Sequence, residues 1–125
     1  MVTEDYVSFE IAKLLKEKAF NWECKRMCRV LKNFGPKVYD LPEWITNEDL
    51  CNLYQNCEFF TIPTLQMAMK WLRDKHNIAI GITFRKPRRI LWEIYKNDEF
   101  ISGGDSPLSY EDVCGDAIKY AINLI

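Results

Sequence analysis

The chain has 125 residues, 48% hydrophobic and 28% charged, ordinary proportions for one soluble globular domain with a continuous core. No apolar run approaches the roughly 20 residues that span a bilayer, and a net charge of −1 argues against bulk attraction to nucleic acid or anionic lipid. A single histidine, His76, removes most metal and nucleophilic chemistry from consideration.

The opening Met1-Val-Thr-Glu-Asp-Tyr-Val is acidic and lacks the basic flank and apolar centre of a signal peptide, so the expected compartment is the cytoplasm. The five cysteines fit that compartment as reduced thiols, not a disulfide framework.

Ser8 can cap a first helix over about residues 8–19, because its hydroxyl can accept from a free backbone N–H in the first turn. Ile11, Leu14, Leu15 and Ala19 recur there at helical spacing. Two short β-type runs follow, Met27–Leu31 and Lys37–Leu41, with Asn33-Phe34-Gly35-Pro36 reading as the turn between them. Residues 42–62 are open: Thr46-Asn-Glu-Asp49 fits a capping box for a helical turn through Leu53, and an irregular loop fits equally.

Pro63-Thr64 opens a second helix with Leu65, Ala68, Met69 and Leu72 as its apolar stripe and Asn77 as its stop. The clearest strand comes next, with Ile78, Ile80, Ile82 and Phe84 alternating with Ala79, Gly81 and Thr83. The small residues predict that something, a helix, packs closely on that second face. Arg85–Arg89 reads as a loop and Ile90–Tyr95 as the return strand of a hairpin. Glu99–Ser102 reads as a short third strand, and Gly103-Gly104-Asp105-Ser106-Pro107 as a turn. Ser109-Tyr-Glu-Asp112 is a capping box for a last helix running to about Asn123.

The expectation is therefore a single α+β domain over residues 1–125. A small antiparallel sheet of about four to five strands packs against three amphipathic helices, in the order α-β-β-α-β-β-(β)-α. The second half shares its element order with double-stranded RNA-binding domains. That family starts its last helix with lysines, whereas Ser109-Tyr-Glu-Asp-Val is acidic.

Charge is distributed unevenly. Residues 41–69 hold four acids and no Lys or Arg; residues 70–96 hold eight bases against two acids; residues 97–125 hold six acids against Lys119. Neighbouring elements offsetting one another would explain this. So would a self-complementary surface, or an acidic partner for the basic block.

Candidate sites are few. Arg85, Lys86, Arg88 and Arg89 at a hairpin tip could grip phosphates, with Trp92 and Tyr95 as stacking surfaces. The same charges also fit a solvated turn that guards the hairpin against edge pairing. Cys24, Cys28, Cys51 and Cys57 number enough for a zinc tetrahedron, but only the first pair has a suitable gap. Buried thiols acting as small hydrophobes fit better, Cys114 above all. His76 caps a helix end, and no orienting carboxylate faces it. Gly103-Gly104 lacks the Gly-Lys-Ser/Thr ending of a phosphate loop. No catalytic, cofactor-binding or metal-ligating residue is assigned, and no enzyme activity is expected.

Asp5–Phe20, Pro63–Arg73 and the closing Tyr110-Glu-Asp…Ala117-Ile-Lys-Tyr-Ala121 resemble a group of small uncharacterised proteins found in gut bacteria of the Bacteroides group and in their phages and mobile elements. The resemblance implies a cytoplasmic bacterial or phage accessory protein and transfers no functional residue. The functional expectation is a non-enzymatic protein-interaction module, with an unknown protein partner or self-association. The alternative is a nucleic-acid binder working through the hairpin 85–89.

Overall fold

The computed structural model describes residues 5–31, 35–42, 44–54, 58–85, 89–106 and 109–125. The chain divides into two compact units: Tyr6–Pro63, and Thr64–Ile125 together with the chain start through Asp5.

In the first unit, α1 (Phe9–Glu17) starts at Ser8, whose hydroxyl accepts from the Ile11 N–H at 3.2 Å. It ends in a Schellman motif: the Phe20 N–H donates to the Leu15 carbonyl and the Ala19 N–H to the Lys16 carbonyl, both at 3.0 Å. That closure puts Ala19 at φ 65°, a left-handed conformation that glycine usually fills. Strands β1 (Arg26–Leu31) and β2 (Gly35–Asp40) pair antiparallel. Helix α2 (Asn47–Leu53) follows, with the Thr46–Asp49 capping box complete and Leu50 as its buried anchor. Strand β3 (Phe59–Thr61) then returns to the other edge of β1, giving the order β2-β1-β3. Helix α1 packs on β3, with Phe9 edge-to-face on Phe60 at 4.8 Å between ring centroids.

In the second unit, α3 (Leu65–His76) is capped by Thr64 and closed by Asn77 in the left-handed conformation. Pro63 therefore sits just outside the helix. Strands β4 (Ile78–Arg85), β5 (Arg89–Lys96) and β6 (Glu99–Ser106) form an antiparallel meander. Asn97 and Asp98 join β5 to β6 with φ 53° and 67°, both left-handed, as a tight two-residue hairpin turn requires. Helix α4 (Tyr110–Ile122) starts at Ser109 and buries Val113, Cys114, Ala117, Ile118, Ala121 and Ile122. With α3 it covers the face of the sheet that carries the buried Ile78, Ile90 and Ile94.

The α+β class holds. The single sheet of four to five strands does not: among the described residues there are two sheets of three strands each and four helices. The difference arises where β3, within the segment left open, takes the free edge of β1 and β6 takes that of β5, so that each hairpin grows into a three-stranded sheet of its own.

Three further expectations are corrected. Gly103 and Gly104 lie inside β6, not in a turn. A Cβ on Gly103 would stand 2.8 Å from the Trp92 carbonyl oxygen, and one on Gly104 3.3 Å from the Trp92 ring. These glycines serve close approach within a sheet. The small face of β4 is not covered by a helix: Ala79, Gly81 and Thr83 are exposed, and nothing lies within 4 Å of a Cβ built on Gly81. Both helices took the isoleucine face, where burial removes more apolar surface from water. Gly35-Pro36, expected in a turn, begins β2. Asn33, Phe34 and Pro107 lie outside the described residues.

Candidate functional site

The second unit exposes the outer face of its sheet. Strand alternation sends Ile90 and Ile94 toward the helices and Arg89, Leu91, Glu93 and Tyr95 outward. Across the register, Gly81, Glu93 and Gly103 form one row and Thr83, Leu91 and Asp105 the next. Tyr95 meets Phe100 edge-to-face at 5.7 Å, and Phe100 remains 59% exposed. The Tyr95 hydroxyl donates to the Glu93 carboxylate at 2.8 Å, which fixes that carboxylate on the face and raises the phenol's pKa. Gly103, which has no side chain on this face, helps leave a shallow depression of about 290 Å³ beside Leu91, Glu93 and Phe100.

The basic hairpin contributes one placed residue to this face, the exposed Arg89 at its end. Lys86 and Arg88 lie outside the described residues, as does the side chain of Arg85. Trp92 does not join Arg89 as a stacking surface. It points to the helix side, with its ring 6.1 Å from that of Tyr120. Tyr95 does share the outward face, three rows from Arg89.

The first unit holds a different feature, a cavity of about 150 Å³. Ala12 and Lys16 of α1, Phe20 and Asn21 beyond it, Asn47 and Cys51 of α2, and the three residues of β3 line it, and one side is open to solvent. Phe20 reaches the cavity because the Schellman turn at Ala19 reverses the chain. Its polar rim is largely satisfied internally. The Lys16 ammonium donates to the Phe59 carbonyl and sits 4.5 Å from the centre of the Phe59 ring. The Asn47 amide Nδ2 donates to the Asn21 carbonyl, and the Asn47 backbone N–H donates to the Glu23 carboxylate. Sequence reading missed this cavity, whose walls come from separated segments.

Cys28 and Cys114 are buried, Cys24 is half-buried and Cys51 exposed; Cys57 lies outside the described residues. Burial pushes the Cys24 thiol up to about 11, opposed by its hydrogen bond with Thr61 and helped by the nearby Glu23 carboxylate. Burial likewise raises Cys28 and Cys114. Such thiols are protonated at neutral pH and behave as small hydrophobes. Among the described residues no three His, Cys, Asp or Glu side chains gather to hold a metal ion. His76 sits in the last turn of α3, edge-on to the Trp71 ring at 4.7 Å. Among the described residues no helix is long and apolar enough to cross a membrane.

No protein-family model matches the chain, and no curated protein or solved structure matches it either.

Proposed function

We propose that this is a non-enzymatic accessory protein that acts through protein–protein contact, pairing with a second copy of itself through the open face of the β4–β5–β6 sheet. The observation that supports the reading is the one-sided cover of that sheet. Two helices bury one face, while Leu91, Tyr95 and Phe100 remain on the other beside the small residues of β4. A flat face of this kind gains from being covered.

The charges favour a copy of the same chain. Arg89, Leu91 and Glu93 follow one another outward along β5 at two-residue spacing. A two-fold axis at Leu91 sets each Arg89 opposite Glu93 of the other copy and packs leucine on leucine, an isologous contact. The resemblance to small proteins of Bacteroides-group bacteria and their mobile elements adds a setting: a cytoplasmic accessory protein of bacterial or phage origin.

Sedimentation velocity across a concentration series tests the pairing. The expected result is a dimer that Glu93→Arg dissociates and the added exchange Arg89→Glu restores. A monomer at every concentration, or a dimer indifferent to Glu93→Arg, would overturn it. Salt-sensitive binding to DNA or RNA by the monomer, lost on changing Arg88 and Arg89 to Ala, would instead support a nucleic-acid binder. The acids Glu93 and Asp105 on the face weigh against that alternative.

A further inference from the structure

Two copies paired on the open face of the β4–β5–β6 sheet set one carboxylate of each against the other. We propose that acid strengthens the pairing, through a proton shared between Asp105 of one copy and Asp105 of the second. This rests on the self-pairing proposed above and supplies its regulation.

The register of the sheet fixes which residues meet. The two-fold axis that sets each Arg89 opposite Glu93 lies between the two sheets and crosses the strands along the row containing Leu91. That row is Thr83, Leu91 and Asp105, directly opposite one another on β4, β5 and β6. Directly paired residues point to the same face, so Thr83 and Asp105 share the outward side of Leu91, and both are exposed. A residue on a two-fold axis meets itself. Leucine on leucine buries apolar surface, threonine on threonine can share a hydroxyl hydrogen bond, and aspartate on aspartate sets like charges together. Stacked sheets lie about 10 Å apart, so two aspartates reaching toward each other come within hydrogen-bonding distance.

The charges around Asp105 do not offset this. Among the described residues, those facing it from β5 are Arg89 and Glu93, one on each side of Leu91, at similar diagonal distances of roughly 7–8 Å. Their fields at Asp105 oppose one another. The second copy presents the same two in reverse order, and each stands opposite its counter-charge. The outward residues of β4 whose side chains are described, Ala79, Gly81 and Thr83, carry no charge. The Tyr95 hydroxyl is committed to Glu93 at 2.8 Å. Asp105 is therefore the carboxylate that pairing leaves uncompensated.

Two carboxylates so placed resist being ionised together. One takes a proton from solvent and donates it to the other, and a repulsion becomes a hydrogen bond. In the separate copies each Asp105 faces water. The dimer then holds one proton more than two monomers, so its formation strengthens as pH falls. Within the pair, the opposing Arg89 and the Tyr95 hydroxyl both favour Glu93 as carboxylate, so the Arg89–Glu93 contact outlasts the Asp105 repulsion.

Sedimentation equilibrium of the full-length protein at pH 7.5, 6.5 and 5.5, at fixed ionic strength, gives the dimer dissociation constant at each pH. It is expected to fall about fivefold to tenfold across that range, through uptake of up to one proton per dimer. Asp105→Asn, at an exposed position, is expected to pair about fivefold to tenfold more tightly than the unaltered protein at pH 7.5 and to lose most of the pH response. Net charge and His76, in α3 on the covered side of the sheet, also change over this range, and their contribution persists in Asp105→Asn.

A dimer that Glu93→Arg dissociates but that is equally tight at pH 7.5 and 5.5 overturns this inference and leaves the pairing in place. So does an Asp105→Asn protein that pairs no more tightly at pH 7.5 or keeps the full pH response. A monomer at every pH overturns the pairing and the inference together. The pH series uses the unaltered chain and does not depend on any variant folding.

Discussion

The two sheets each have three antiparallel strands, and they are built in opposite ways. In β4–β5–β6 each strand has eight residues and pairs with its neighbour in sequence. In β2–β1–β3 the third member has three residues and reaches its partner only after β2 and α2 have intervened. The regular sheet presents an open face, and the irregular one lines a half-open pocket. Regular pairing leaves a uniform surface on which a partner can lie. A short strand packed by α1 leaves a pocket between unlike elements.

The largest expected effects test how tightly each region is filled. Leu72→Ala in α3 and Leu15→Ala in α1 both remove a side chain with no exposure. Each is expected to cost about 2–5 kcal/mol in chemical denaturation, with the cost set by how far the site can collapse. Leu15 belongs to the unit that already contains a cavity, and its cost should fall toward the lower end. A larger loss for Leu15→Ala than for Leu72→Ala would break the contrast in packing.

Two glycines of the regular sheet should respond with opposite signs. Gly103→Ala forces a methyl to 2.8 Å from the Trp92 carbonyl oxygen, a backbone atom that cannot swing aside. The expected loss is about 1–3 kcal/mol. Gly81→Ala meets open space on the outer face and should be neutral, or stabilising by about 0.5–1 kcal/mol. Parallel denaturation of the two variants checks this, and equal losses would show that the outer face is covered.

In the irregular unit Ala19→Gly should stabilise by about 1 kcal/mol, because it relieves a left-handed alanine while keeping the Schellman bonds. A loss of stability would mean that the methyl group of Ala19 contributes packing worth more than the backbone relief.

The last effect concerns Cys24 and is confined to alkaline pH. Its thiol holds its proton more tightly folded, at about 11, than at the ordinary value of 9.0. The folded state then binds more protons between these values, so this stabilisation is complete below pH 9 and is lost as pH rises toward 11. Denaturation at pH 8, 9 and 10 should show a decline that Cys24→Ala makes shallower. An identical decline in the variant would place the titrating group elsewhere.

Legibility in the sequence follows the same division. Helices α1, α3 and α4 were readable because Ser8, Thr64 and Ser109 cap them locally and their apolar stripes repeat at one spacing. Strand β4 was readable from strict alternation. Strand β3 was not, since three residues cannot establish a period and its partner β1 lies some thirty residues earlier. The capping box at Thr46 signalled α2, yet Leu50 as the only buried residue in the helix left no stripe to confirm it. Gly103-Gly104 misled because glycine marks both turns and close contacts, and only the position of Trp92 distinguishes them. The open face was half-legible: the outward set Arg89, Leu91, Glu93 and Tyr95 follows once Ile90 and Ile94 are turned inward. What could not be read was the side of the sheet that the helices would choose.

The strand order β2-β1-β3 also carries a consequence for the time course of folding. Adjacent hairpins close short loops, whereas joining β3 to β1 must close a long one and wait for the intervening chain to settle. The β4–β5–β6 meander is therefore expected to be formed in the transition state, with high φ-values at Ile80 and Ile94, and β3 to dock late, with φ near zero at Phe60. A full-length chain refolding from the denatured state would hold its regular sheet while the edge of β1 still lacked its third strand, and during that interval the exposed edge is where misassembly would begin.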